Sequence, residues 1–194
     1  MFIGISGVAG SGKDLFVKLL TEELGRRGMK AKRYSLADAL KEELKDSLIS
    51  RYGIDPTNCS REDKEKIRPE LVSYAKERRK ETQGRHWIEK LEQKILSEEK
   101  CDVYCISDIR HSEFENDEMQ WIQKEKTGKL VHITKYFIED NAVRVQFPAN
   151  QDEEINDPLL VEGADYVSSW RHGCSNPEVT VKVFADWLFL NEKR

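Results

Sequence analysis

Strands alternating with helices, a glycine-rich turn joining the first strand to the first helix, and an acidic residue ending a later buried strand predict an α/β fold. The sheet is expected to be largely parallel and five-stranded, with helices layered on both faces. The 194 residues suit one domain around a single core, with room for a small subdomain.

Residues 2–6 form a short apolar run that opens into the glycine-rich turn and reads as a buried strand. From 13 to 24, Leu15, Phe16, Leu19, Leu20 and Leu24 mark one face of a helix, which Gly25 or Gly28 ends. A second strand is expected over 31–36. A helix then covers 37–51, striped by Ala37, Leu40, Leu44 and Leu48 and stopped by Gly53. The polar stretch 55–63 is a connector in which Ser60 caps the next helix, with Asp63 at the capping-box position. Helical pattern resumes near Lys64, and Pro69 kinks it or marks a fresh start. A further helix covers 86–99.

Residues 103–107 read as a compact strand with Asp108 at its C-terminal end. A helix is expected over 113–125 and a strand over 130–134. Residues 136–157 show no clear period and end in the acidic run Asp152, Glu153, Glu154. A last strand covers 164–168. Ser175, Pro177 and Glu178 give a capped start to a terminal helix, 179–190, apolar on most of its circumference. No internal repeat, low-complexity tract or linker interrupts the chain.

Composition narrows the function classes. The net charge of −4 and the 35% charged fraction come from interleaved signs, which argues against the clustered basic face of a nucleic-acid binder. No apolar run is long enough for a membrane span, and the N-terminal MFIGISG lacks a signal peptide's basic region. A cytoplasmic location is the expectation. Cys59, Cys101, Cys105 and Cys174 form no CxxC pair and read as reduced thiols. His86, His111, His132 and His172 are scattered, so no structural zinc is indicated.

Gly7-Val8-Ala9-Gly10-Ser11-Gly12-Lys13 satisfies GxxxxGK, with a strand before it and a helix after it. Glycines at this spacing let consecutive backbone N–H groups turn inward around a phosphate, and the helix N-terminus adds partial positive charge. Lys13 places a point charge between the β- and γ-phosphates of ATP. Nucleotide contacts are therefore expected from Gly7, Ala9, Gly10, Ser11, Gly12, Lys13, Asp14 and Leu15. Asp14 stands where this loop usually has Ser or Thr. A carboxylate there can serve Mg²⁺ directly or through water, or it can simply suit a helix N-terminus.

Asp108 ends a strand where open α/β sheets place their ligand crevice. Beside a phosphate loop such a carboxylate organises Mg²⁺ or takes an acceptor proton. Arg110 puts a cation on the same edge, with a surface ion pair to Glu113 or Glu115 as its plainer role.

Taken together, Ser-Gly-x4-Gly-Lys-Asp, Leu36-Ala37-Asp38-Ala39-Leu40-Lys41 and Ser107-Asp108-Ile109-Arg110 resemble the deoxynucleoside monophosphate kinases of phage and bacterial type. The resemblance extends to Arg68, to the region through Arg79 and Trp87, and to Gly163-Ala164-Asp165-Tyr166-Val167. The same marks are similar to animal-type phosphomevalonate kinases, and both groups lie within the nucleoside monophosphate kinase superfamily. The resemblance implies a three-layer P-loop NTPase fold with a helical acceptor-binding region at 37–100 and a lid at 136–157. It implies acceptor contacts from Asp38, Lys41, Arg68, Arg79, Trp87 and Arg110, where paired arginine donors suit phosphate oxygens. Arg78 and Arg85 compete with Arg79 for that role, and the dense mixed charge of 64–80 also reads as a solvated face.

Two departures bear on the acceptor. Ser168-Ser169-Trp170-Arg171 stands where the family ends its last strand with Asn, and Asn150-Gln151-Asp152-Glu153-Glu154 replaces a His-x-Ser-Glu in the lid. The late acidic cluster leans toward the phosphomevalonate type. Arg144 is the only arginine in the lid segment and the candidate for stabilising the transferring group. Asp152, Glu153 and Glu154 would repel a triphosphate and are expected at the rim.

The reaction implied is transfer of the ATP γ-phosphate to a phosphorylated small molecule, with Lys13, Asp108 and Arg144 as catalytic residues and Asp14 and Asp108 at Mg²⁺. A deoxynucleoside monophosphate is the first acceptor and phosphomevalonate the alternative. A nucleotide switch or assembly ATPase is the other class considered, and the sequence has no Asn-Lys-x-Asp guanine signal for it. No nucleic-acid polymer or membrane partner is expected, and a homodimer is left open.

Overall fold

Strand β1, Phe2–Ser6, sits at the centre of a six-stranded sheet, with β3 on one side and β4 on the other. The computed structural model describes residues 1–140, 142–173 and 176–191, and contacts divide the chain into two units, Met1–Tyr34 with Lys100–Arg194, and Ser35–Glu99. In the first unit β1 pairs in parallel with β3 (Val103–Ile109) and with β4 (Lys129–Glu139). β4 pairs in parallel with β6 (Tyr166–Arg171), and β2 (Ala31–Ser35) lies beyond β3. The expected α/β sheet is present, and β5 (Ala142–Val145) is an extra strand, antiparallel to the far end of β4.

One face of the sheet carries the main core. Ile3 and Ile5, Val103 and Cys105, and Val131 and Ile133 alternate along their strands, as period-two burial requires. Against them pack Phe16, Leu20 and Leu24 of α1 (Lys13–Arg26) and Val181, Phe184, Ala185 and Leu188 of α7 (Pro177–Asn191). The i, i+3, i+4, i+7 spacing in α7 makes that stripe. In α1, Val17 completes the buried face, whereas Leu15, expected on it, is exposed. The opposite face is covered by buried Trp121 and Ile122, and Gly4 leaves room for Ile122.

Two stretches differ from expectation. Residues 113–125 are not one helix: α5 is short, Glu118–Gln120, and passes into a π-helical turn, Trp121–Glu125. The buried Asp117 carboxylate accepts from the amides of Glu113, Phe114 and Glu118, and this holds 113–117 as a turn instead of helix. Residues 136–157 are not aperiodic. They comprise the end of β4, the strand β5 and the start of α6 (Gln151–Gly163). β5 is exposed on both faces and so shows no alternation, and the acidic run is the first turn of α6, capped by Asn150. The expected Ser175 cap, and Cys174, lie outside the described residues.

The second unit contains α2 (Leu36–Tyr52), α3 (Arg61–Glu81) and α4 (His86–Ser97). Leu44 and Leu48 of α2 pack on Ile67 and Leu71 of α3. Ser60 caps α3 as expected, its Oγ accepting from the Asp63 amide at 3.0 Å, and α3 continues through Pro69 without restarting.

Candidate active site

The phosphate loop is held from below and left open above. Gly7 (φ 135°) passes so close to β4 that an added β-carbon would lie 2.5 Å from the Ile133 carbonyl. Gly12 (φ 97°) ends the loop in the left-handed region, and the Trp170 indole fills the space where its β-carbon would be. Trp170 Nε1 donates to the Ser11 carbonyl at 2.8 Å. Gly10, by contrast, has nothing closer than the Gln146 side chain at 3.9 Å.

Lys13 starts α1 with its ammonium folded under the loop, donating to the carbonyls of Gly7 at 2.7 Å and Val8 at 3.0 Å. Burial, then the Arg110 charge, lowers its pKa, against the opposing pull of Asp108 and Glu153. Ser11 Oγ is buried with no hydrogen-bond partner among the described residues. A buried ammonium and an orphaned hydroxyl at a helix N-terminus fit a phosphate chain.

Asp108 is placed by a β-bulge. Gly4 pairs with Ile106 but Ser6 with Ile109, so β3 carries one extra residue there. Asp108 takes φ 66°, a left-handed conformation that Asp tolerates better than most residues. Its Oδ1 accepts from Arg110 Nη2 at 3.2 Å. Arg110 is anchored at its backbone, whose amide donates to the buried Glu118 carboxylate at 2.7 Å. It pairs with Asp108 and with Glu153, at 3.2 and 2.9 Å. Burial alone would lower the Arg110 pKa, but Asp108 and then Glu153 overcome it and raise the value.

Glu153 was expected at the rim, and the structure seats it against the loop. Its two carboxylate oxygens lie 3.1 and 3.0 Å from the Ala9 amide, and one accepts from Arg110 at 2.9 Å. The residue is 7% exposed. The capping box Asn150-x-x-Glu153 fixes it, with Asn150 Oδ1 accepting from the Glu153 amide and Glu153 Oε2 accepting from the Ala149 amide. Sequence reasoning missed both the helix start and the inward carboxylate, which the Asn-x-x-Glu spacing could have signalled.

Behind the loop, the buried His132 ring reaches Ser6 Oγ through Nδ1 at 3.1 Å and Asp157 through Nε2 at 3.8 Å. Burial, then Lys13, pushes the His132 pKa down to about 4. Above the loop, Lys135 Nζ donates to the Gly10 carbonyl at 3.3 Å, a cation that sequence reasoning missed. Arg144 lies opposite Phe137 on the hairpin, exposed and 3.7 Å from Glu139. Lys135, rather than Arg144, contacts the loop.

Among metal candidates, Asp14 is 88% exposed at its side chain, within 3.9 Å of Arg33, while Asp108 faces the Arg110 cluster. Among the described residues no three His, Cys, Asp or Glu side chains gather to hold a metal ion. Asp108 suits the Mg²⁺ habit of using one or two carboxylates together with substrate phosphates.

In the helical unit, Asp38 and Lys41 stand 3.7 Å apart on the first turns of α2. Arg68 is exposed and pairs with Glu65 at 2.7 Å, whereas Arg79 is buried. Trp87 is buried with its indole N–H unpartnered among the described residues. Glu43 forms a hub, accepting from Tyr74 at 2.6 Å and lying 3.0 Å from His86 and 3.3 Å from Lys90. Burial opposes its ionisation, but those hydrogen bonds hold its pKa at about 2. Arg78 joins this network through Tyr74 at 3.1 Å. No helix among the described residues is long and apolar enough to cross a membrane.

Residues 5–128 match the sequence profile of the phosphomevalonate kinase family. No curated protein matches the chain. Similar solved structures include shikimate kinase from Aquifex aeolicus (18% identity, TM-score 0.46, covering 99% of this chain and 98% of that one). Shikimate kinase from Bacteroides thetaiotaomicron is 16% identical (TM-score 0.47, covering 97% and 98%). Dephospho-CoA kinase from Campylobacter jejuni is 15% identical (TM-score 0.46, covering 96% of each chain).

Proposed function

The chain belongs to the phosphomevalonate kinase family, and from that membership we propose that it transfers the γ-phosphate of ATP to the phosphate of a small phosphomonoester. The phosphate loop carries this reading, with the Lys13 ammonium buried beneath the Gly7 and Val8 carbonyls at the head of α1. Family membership moves phosphomevalonate ahead of the deoxynucleoside monophosphate that the sequence resemblance put first.

ATP supplies the activated phosphoryl group. The loop amides and Lys13 bind and orient it, and an acceptor phosphate, already ionised at neutral pH, needs no strong general base. Catalysis then rests on position and charge stabilisation. Arg110 supplies a fixed cation at the β3 edge, and Asp108 would hold Mg²⁺ there. The helical unit carries the acceptor-binding residues Asp38, Lys41, Arg68, Arg79 and Trp87. Residues 136–157 serve as the lid that excludes water, with Arg144 as its cation and Lys135 just before it against the loop.

A coupled assay of ADP release tests this across phosphomevalonate and a panel of nucleoside monophosphates, with Mg²⁺ and with EDTA. Turnover is expected with a phosphomonoester and Mg²⁺, and Lys13→Ala is expected to lose it with the fold intact. No ADP release with any acceptor, or wild-type turnover in Lys13→Ala, would overturn the reading.

A further inference from the structure

A carboxylate of the protein itself holds an anion position on the phosphate loop. Glu153 accepts from the Ala9 amide with both oxygens and from Arg110 with one. A loop amide and a guanidinium are the donors by which proteins grip phosphoryl oxygens, and here a side chain engages both. Because Glu153 is 7% exposed, it fills that position instead of bordering it. Two neighbours at the start of α6 hold it there: Asn150 caps its amide, and the Ala149 amide donates to its second oxygen.

Charge makes this occupancy conditional. Lys13 and Arg110 face Asp108 and Glu153, so two cations already meet two carboxylates in this corner. A terminal phosphoryl group seeking the Ala9 amide would meet like charge on the same donors. The next acid on α6, Glu154, is by contrast exposed.

We propose that Glu153 is an internal stand-in for the transferring phosphoryl group, which must evict it to gain the Ala9 amide and Arg110. This rests on the nucleotide-binding reading above. Arg110 then passes from one anion to another and keeps Asp108 throughout. Eviction also releases Ala149 and draws the first turn of α6 off the loop. Substrate arrival is in this way coupled to the segment that follows the hairpin. A simple staple between α6 and the loop makes the opposite claim, because its removal would loosen the loop and leave affinity equal or lower.

Calorimetric titration of ATP and of inorganic pyrophosphate into the wild-type protein, Glu153→Gln and Glu154→Gln decides the matter. Glutamine suits the capping-box position, so α6 keeps its start. Glu153→Gln is expected to bind pyrophosphate on the order of tenfold tighter than wild type. Glu154→Gln, which removes the same charge from the exposed neighbour, is expected to match wild type. Equal or weaker binding by Glu153→Gln, or equal tightening by Glu154→Gln, overturns the proposal. Should Glu153→Gln fail to fold, Glu153→Asp is read in its place: it keeps the charge but withdraws it by one methylene from Ala9. Tightening supports the proposal, and unchanged affinity overturns it. Absence of ATP binding by the wild-type protein is a separate result, which removes the nucleotide reading and this proposal with it.

Discussion

Trp170 stands against Gly12 so closely that the glycine has no room for a β-carbon, and its indole N–H donates to the Ser11 carbonyl at 2.8 Å. The last strand of the sheet thereby sets the peptide plane just before the loop's lysine. Trp170, one of the departures from the resembled family at the end of the last strand, is a buried aromatic that reaches the loop and packs edge-on against Phe16 at 6.0 Å.

Gly12→Ala combines an overlap with Trp170 and a left-handed backbone that alanine resists, at φ 97°. ATP binding is expected to be lost. Trp170→Phe keeps a ring on Phe16 but drops the hydrogen bond. It should cost about 1 kcal/mol of stability in denaturant unfolding and weaken ATP binding several-fold. Full ATP affinity in Gly12→Ala would show that Trp170 yields.

Burial and the Lys13 charge hold the His132 pKa near 4, below the ordinary value of 6.5. As pH falls below 6.5 the unfolded chain takes up this proton first, so stability is full above 6.5 and declines toward 4. The sum is on the order of 3 kcal/mol. Asp157, raised by burial and Glu153, acts in the opposite sense and blunts the decline. Glu43, held at about 2, contributes only below its unfolded value of 4.5, so it does not add to the decline between 4.5 and 6.5. Unfolding midpoints should fall across that window in the wild-type protein and stay flatter in His132→Gln. Equal slopes would exclude His132 as the cause.

Arg68 and Arg79 share α3 but not an environment. Arg79 is 5% exposed, and truncating a buried charged side chain leaves its partners unsatisfied, which typically costs a few kcal/mol. Arg68, 45% exposed at its side chain and paired with Glu65, should cost less than about 1 kcal/mol. Thermal unfolding should therefore separate Arg79→Ala from Arg68→Ala by several degrees. If Arg68 grips the acceptor, Arg68→Ala raises the acceptor KM while the KM for ATP holds. Equal melting of the two variants would contradict the burial argument.

The phosphate loop was legible because its meaning is contiguous: seven residues, spaced glycines and correct flanks. Asp108 was legible as an acid ending a buried strand, though not its bulge or positive φ, which depend on register with β1. Glu153 was not, because an acidic run reads as solvated charge and its partner Ala9 lies 144 positions away. The β4–β5 hairpin escaped notice because an edge strand exposed on both faces has no period to detect. Arg144 stood out by residue type alone, yet Lys135 is the cation that reaches Gly10, as the overrun of β4 past the end of β1 dictates.

The loop near the N-terminus depends on neighbours supplied much later in synthesis. β1 pairs with strands at Val103–Ile109 and Lys129–Glu139, and the indole under Gly12 arrives only with residue 170. The helical unit, one continuous stretch of Ser35–Glu99, can collapse on a ribosome while the strand before it still waits for partners. The nucleotide cradle is thus translated well before the strands and the indole that complete it. A chain ended before residue 170 carries the full motif in its sequence yet lacks the indole that sets it, so competence to bind nucleotide waits for the strand Tyr166–Arg171.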